Sequence, residues 1–353
     1  VELISVLKDA VDKGASDIFI VSGRPLCYKI NNNIMDQSEE KLSPVSTREL
    51  ILGIYELAGE RSPNHFLECG DDDFSFSLKG ISRFRVSTYL QRGSLAAVIR
   101  VVTFRLPDPK QLGIPETVLR LADSKKGLVL VTGPAGSGKS TTLACLIDSI
   151  NNTRSSHVIT LEDPIEYLHG HKKSIVSQRE IPTDTANYVT ALRAALRQSP
   201  DVILLGEMRD YETINIAMTA AETGHLVFST LHTVGAVKTI DRIIDAFPPS
   251  QQGQIRIQLS MTLRAVVSQQ LLPTIDGGLV PAFEIMLCNG AICNMIRESK
   301  THQIETVVFS SSEEGMMSMD ASISDLYKKG TISAKDAISH STSPDLMAKK
   351  IAK

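Results

Sequence analysis

The chain has 353 residues, enough for two domains that each bury a core, and its 42% hydrophobic and 22% charged residues are typical of a globular protein. Its 37 basic and 40 acidic residues leave a net charge of −3, which argues against nucleic acid as the main partner. No apolar run reaches the roughly 18 residues of a membrane span and no signal-peptide pattern opens the chain, so direct membrane insertion is not expected.

Residues 1–13 carry Leu3, Ile4, Leu7 and Val11 at helical spacing, with Gly14 as a stop. Short β-like runs follow at 17–21 and 27–30, then a helix at 47–58. Three more strands are expected at 73–78, 82–90 and 96–102, with Gly80 and Gly93 where turns are needed. This pattern predicts a small α+β domain over residues 1–105. The rigid break Leu106-Pro107-Asp108-Pro109 opens a linker assigned to 106–112.

From 113 to 353 the pattern changes. Apolar, β-branched runs at 128–132, 158–161, 202–205 and 226–230 alternate with helical stretches, as do parallel strands buried on both faces. Beyond Pro248 the chain reads as mostly helical. Ile255, Leu259, Leu263, Val266 and Val267 make one apolar stripe, and the segments from Ala291 and from Ile323 onward read as further helices.

The run ending at Thr132 leads straight into Gly133-Pro134-Ala135-Gly136-Ser137-Gly138-Lys139-Ser140, followed by Thr141 and a helix marked by Leu143, Leu146, Ile147 and Ile150. Strand, glycine-rich loop and helix together predict a phosphate-binding site for ATP. The glycines let backbone N–H groups converge on phosphate, and the helix N-terminus adds partial positive charge. Lys139 would reach the β- and γ-phosphates and the Ser140 hydroxyl would ligate Mg²⁺.

Acids follow two of the other strands. Glu162 and Asp163, before Pro164, are candidates to hold the metal or polarise water; the alternative is a solvated turn. Glu207 follows the run 202–205, where a Walker B acid is expected, and is the candidate base or water-orienting group; alternatively it caps the next helix. His225 and His232 bracket the run 226–230, either as structural hydrogen bonders or as γ-phosphate sensors.

The five cysteines, Cys27, Cys69, Cys145, Cys288 and Cys293, form no CxxC pair, so reduced thiols in a cytoplasmic protein are expected. Cys288 and Cys293 have no nearby partners to complete a metal site.

Taken together, the motif series resembles the secretion-ATPase superfamily, and most closely the type IV pilus retraction ATPase (PilT) family. GPAGSGKS resembles its Walker A loop and TLEDPIEY its Asp box; LLGEMRD resembles its atypical Walker B, and ETGHLVFSTLHT its His box. The resemblance covers nearly the whole chain. It implies a PAS-like α+β domain followed by a RecA-like P-loop ATPase domain with C-terminal helices. It further implies a homo-hexameric, Mg²⁺-dependent ATPase that drives pilus retraction and twitching motility. The expected location is cytoplasmic, at the inner face of the cytoplasmic membrane, with an inner-membrane pilus platform protein and paralogous pilus ATPases as partners.

Carried over residue by residue, Glu207 would be the catalytic glutamate, Glu162 the Asp-box acid, and His225 and His232 the His-box pair. Arg85 and Arg100 match arginine-bearing strands whose side chains reach the nucleotide in this family, and Arg193 and Arg197 match a further arginine pair of the family. Arg85 and Arg100 lie on strands joined through the Gly93 turn; Arg193 and Arg197 are four apart, hence on one helix face. Extension and type II secretion ATPases usually carry an extra N-terminal domain and a four-cysteine zinc insert. This chain begins close to the PAS-like domain and has only Cys288 between His232 and Asn289, which favours retraction. Ala291-Ile292-Cys293-Asn294-Met295-Ile296-Arg297-Glu298 resembles the retraction family's AIRNLIRE segment, departing at Cys293 and Met295. The Cys293 departure keeps open a regulatory or paralogous subunit with weak hydrolysis.

Overall fold

A computed structural model of the chain describes residues 3–30, 33–59, 61–102 and 106–352. Residues 1, 2 and 103–105 of the expected N-terminal domain thus lie outside the described residues. The chain divides into two compact units: Val1–Arg105 with Ile165–Leu168, and Leu106–Pro164 with His169–Lys353.

The first unit contains α1 (Leu3–Asp12), β1 (Asp17–Ile20), β2 (Cys27–Ile30), β3 (Asn33–Asp36), α2 (Pro44–Leu57), α3 (Asn64–Cys69), β4 (Asp71–Leu78), β5 (Ser82–Gln91) and β6 (Ser94–Val102). Its strands form an antiparallel sheet in the order β3-β2-β1-β6-β5-β4. Ser43 accepts a hydrogen bond from Ser46 N and Pro44 occupies the first turn, which together start α2. Ile51, Ile54 and Tyr55 of that helix pack with Phe84, Val86 and Ile99 of the sheet. Strand alternation then sends Arg85 and Arg100 to the opposite face.

The second unit begins with α4 (Glu116–Leu119), β7 (Gly127–Thr132), α5 (Lys139–Thr153), β8 (His157–Glu162), β9 (Ile175–Glu180), α6 (Tyr188–Ala195), β10 (Val202–Leu205), α7 (Tyr211–Glu222) and β11 (Leu226–Leu231). It continues through α8 (Ala236–Asp245), α9 (Pro249–Thr262), β12 (Leu263–Pro273), β13 (Leu279–Leu287), α10 (Gly290–Arg297), α11 (Ile304–Ser310), α12 (Met319–Lys328), α13 (Ala334–His340) and α14 (Pro344–Ile351). Seven strands lie in the order β13-β12-β7-β11-β10-β8-β9, parallel except for the last hairpin partner, β13.

Alternate residues of the central strands feed two cores. Leu128, Leu130, Ile203 and Leu205 face Ile214, Ala217 and Met218 of α7. Val129, Val131, Val202 and Leu204 face Leu143, Leu146, Ile147 and Ile150 of α5. A strand covered on both sides needs apolar residues at every position, which is why these runs do not alternate.

One expectation is overturned. The apolar stripe beyond Pro248 is not one helix: α9 carries Ile255 and Leu259, while Leu263, Val266 and Val267 belong to β12. That strand pairs with β7 on one side and β13 on the other, so it too is buried on both faces. No described helix is long and apolar enough to cross a membrane.

Candidate nucleotide site

The parallel register brings the C-terminal ends of β7, β8, β10 and β11 to one edge of the sheet. Hydrogen bonds stitch them there. Gly206 N donates to Leu161 O (2.8 Å), Met208 N to Thr230 O (3.2 Å) and Gly133 N to Leu231 O (3.3 Å). The Thr230 hydroxyl donates to Gly206 O at 2.6 Å. Open α/β sheets bind ligands at this edge, where neighbouring connections leave in opposite directions.

The loop 133–138 connects β7 to α5 and is built to close tolerance. A Cβ on Gly133 would lie 2.1 Å from Gln269 O and 2.8 Å from Ser137 Oγ, and the residue has φ +139°, so only glycine brings loop and β12 this close. Gly138 enters α5 in the left-handed region. Lys139 is 8% exposed, and its ammonium donates to Gly133 O and Pro134 O, both at 2.9 Å. Pro134, Ala135 and Gly136 form the exposed rim, whereas Ser140 and Thr141 sit half-buried on the opening turn of α5. The Ser137 hydroxyl is buried with no hydrogen-bond partner among the described residues. A buried hydroxyl of that kind, beside N–H groups that have no acceptor within their helix, suits a phosphate oxygen. Next to the loop, a cavity of about 330 Å³ opens between Lys110, Gly138, Thr141, Leu271, Pro281 and Phe283, with room for a heterocyclic base.

The acids sit at the neighbouring strand ends. Glu162 accepts from the Thr160 hydroxyl (2.6 Å) and from Gln178 Nε2 on β9 (3.1 Å), so two strands orient its carboxylate. Asp163, one residue further, is exposed. Glu207 is only 12% exposed; Arg209 Nη2 lies 2.6 Å from one oxygen and His232 Nε2 3.5 Å from the other. Capping of α7 falls instead to Asp210, which accepts from Thr213 N at 2.9 Å. Asp210, and not Glu207, is therefore the cap of α7.

His225 lies elsewhere. Its Nδ1 is 3.0 Å from Ala220 O at the start of β11, whereas His232 follows the strand's end, about 20 Å away at 3.3 Å per residue. The structure brings His232 to Glu207 and leaves His225 at the opposite edge of the sheet.

Arg85 and Arg100 are direct cross-strand neighbours, and Arg100 Nε reaches the buried Asp17 at 3.0 Å. Arg193, on α6, pairs with Glu212 at 2.5 Å. Arg197 lies beyond the end of that helix, where its Nη1 donates to Arg193 O at 3.1 Å. The four-residue spacing therefore yields a capping contact in place of a two-arginine helical face.

Several residues here carry no motif by which they could be recognised in advance. Tyr188 lies among Asp163, Glu207 and Glu162; burial first, then these carboxylates, push its phenol well above the ordinary range. Its Oη would be 2.7 Å from a Cβ on Gly206, so the glycine makes room for it. Gln269 of β12 is 2% exposed and bonded to the phosphate loop. Its neighbour Ser268 points to the other side, where its Oγ accepts from Gly235 N at 2.9 Å. Across the β12–β13 pair, Glu284 accepts from Ala236 N at 2.7 Å, so both strands hold the start of α8. Burial, more than anything else, raises the pKa of the Glu284 carboxyl.

Residues 2–343 match the protein family described as "Type II/IV secretion system protein". The chain belongs to this family. Among its secretion-family relatives, the "Type IV pilus retractation ATPase PilT" of Pseudomonas aeruginosa is 43% identical over 95% of this chain and 97% of its own length. The "Type IV pilus ATPase PilU" of the same organism is 40% identical over 97% of this chain and 89% of its own. A crystal structure of the pilus retraction motor PilT with bound ADP, 47% identical, superposes with a TM-score of 0.88 over 98% of each chain. The mixed α/β architecture with a parallel-sheet core is thus that of a secretion-family ATPase.

Proposed function

We propose that this chain is an ATP-hydrolysing motor subunit of type IV pilus retraction, with phosphates bound on the loop 133–140. The observation that carries the reading is the convergence of Lys139, Glu162, Glu207 and His232 at one sheet edge, in a chain 43% identical to PilT. The PilT structure's ADP supports a nucleotide as the ligand.

In this mechanism the loop N–H groups and Lys139 hold the β- and γ-phosphates. Glu207, fixed by Arg209 and His232, accepts a hydrogen bond from the attacking water and aligns it with the γ-phosphorus. The P–O bond to the β-phosphate breaks, giving ADP and inorganic phosphate. His232 stands where it can exchange its contact with Glu207 for one with the leaving phosphate.

Among the described residues no trio of His, Cys, Asp or Glu gathers as a metal site. That pattern suits Mg²⁺, which is usually held by one or two protein oxygens, water and the substrate's phosphates. Ser140, Glu162 and Asp163 would supply such oxygens. Mg²⁺ bound there would neutralise charge on the phosphates.

Further parts of the reading rest on family resemblance: a PAS-like first unit, a RecA-like second unit and a homo-hexameric ring. Arg85, Arg100, Arg193, Arg197 and His225 would act in that assembly, and an inner-membrane platform protein would receive the motion. The near-equal identity to PilU keeps a paralogous pilus ATPase as the second reading.

Two variants test the activity. Lys139→Ala should abolish nucleotide binding and turnover. Glu207→Gln should keep ATP binding while the turnover number falls by about 10²-fold or more. Undiminished hydrolysis by Glu207→Gln removes that residue from the mechanism.

A further inference from the structure

Gln269 uses both ends of its buried amide on the phosphate-binding segment. Its Nε2 donates to Ser137 O at 2.5 Å, and its Oε1 accepts from the Thr142 hydroxyl, one turn into α5, at 2.8 Å. The Ser137 carbonyl, which can only accept, fixes which end of the amide faces the loop, and the Thr142 hydroxyl then donates to the other end. A peptide unit is planar and trans, so the carbonyl of Ser137 and the N–H of Gly138 point in opposite directions. Tying the carbonyl down to Gln269 therefore turns the Gly138 N–H away from β12, toward the phosphate-binding side of the loop. Gly138 is in the left-handed region and a Cβ there would lie 3.1 Å from Gln269 Nε2, so it is a glycine at this position that lets the amide approach the loop so closely.

We propose that Gln269 is a positioning residue for the nucleotide, presetting the Gly138 N–H for a phosphate oxygen that ATP and ADP share. The inference rests on the nucleotide reading above. Its distinctive consequence is uniform binding: substrate and product gain equally, so the residue acts on KM and not on kcat.

The experiment uses the full-length protein and the near-isosteric Gln269→Leu. Fluorescent ATP and ADP analogues are titrated, steady-state kinetics are measured, and the melting temperature is recorded without nucleotide. The dissociation constants for both analogues should rise by about tenfold, the worth of one well-placed buried hydrogen bond, with KM rising in parallel and kcat within about twofold of wild type. Gln269→Glu keeps the acceptor for Thr142 but loses the donor to Ser137 O, and should behave like the leucine variant.

A merely structural role predicts the reverse pattern, a lower kcat from a smaller active fraction with unchanged KM and affinity. That outcome overturns the proposal. If Gln269→Leu does not fold, Thr142→Val, which frees only the far end of the amide, should weaken both analogues by about threefold. Unchanged affinity in that variant also overturns it. Binding by the unaltered chain tests the nucleotide reading separately, so the two failures are distinguishable.

Discussion

Gly206 stands immediately before the candidate catalytic glutamate, and the space around it makes Gly206→Ala a sharp perturbation. The new Cβ would meet Tyr188 Oη at 2.7 Å, Leu161 O at 3.2 Å and Glu162 Cα at 3.6 Å. Leu161 O needs only a few tenths of an ångström of relief and Glu162 Cα is at ordinary contact distance, so the hydroxyl is the group that must move. Overpacking of this kind costs about 1–3 kcal/mol. At roughly 2–4 °C per kcal/mol for a domain of this size, the melting temperature should fall by roughly 2–12 °C. Displacing the phenol from among Asp163, Glu207 and Glu162 should also lower kcat by about tenfold, since small misplacements at a reacting centre are costly. Tyr188→Phe removes the colliding atom. The double variant should regain most of the stability and the turnover, giving a coupling energy of at least about 1 kcal/mol. Calorimetry and steady-state ATPase assays on the four proteins of the cycle measure it. Additive effects, with the double variant as impaired as Gly206→Ala, would refute the claim that Gly206 exists to admit Tyr188.

Two other tests address separate parts of the chain. Burial drives the pKa of His169 down to about 4 from an ordinary 6.5, so the native state binds fewer protons than the unfolded chain between those values. Stability from this group is complete above about pH 6.5 and is lost as pH falls toward 4, by about 3 kcal/mol in all; His169→Gln should flatten that part of a melting-temperature profile, and an unaltered slope would show that the site stays solvated. Arg85→Ala should reduce turnover with assembly intact, measured by ATPase assay and light scattering; full activity in the variant would exclude a catalytic arginine at that position.

The phosphate loop was legible because it is contiguous. One strand, one loop and one helix carry the whole pattern from Val129 to Ile150, and local chemistry alone implies phosphate. Strands β7, β10 and β11 were legible for a related reason, since burial on both faces leaves no charged residue in the run. That same property hid β12. Leu263, Val266 and Val267 continue the helical spacing of Ile255 and Leu259, and periodicity cannot separate a doubly buried strand from a buried helix segment. β3 is exposed along its length and four of the six residues of β9 are polar, so neither offers an apolar alternation to read. Gln269 and Tyr188 were illegible in another sense. A single glutamine or tyrosine carries no motif, and each acquires meaning only from residues distant in sequence that the fold brings to it. His225 and His232 are close in sequence, yet the length of β11 holds them at opposite edges of the sheet.

Because Ser268 and Gln269 address opposite faces of one strand, β12 has no tolerance for a slipped register. A one-residue insertion or deletion ahead of them would exchange their faces, sending the glutamine toward α8 and the serine toward the phosphate loop. Nine residue pairs with β13, from Ala265–Leu287 to Pro273–Leu279, resist such a slip along the strand, while the irregularity between Leu263 and Ala265 marks where pairing with β7 changes step. Length variation in this part of the molecule is therefore confined to the turn between β12 and β13, where residues can be gained or lost without inverting either contact.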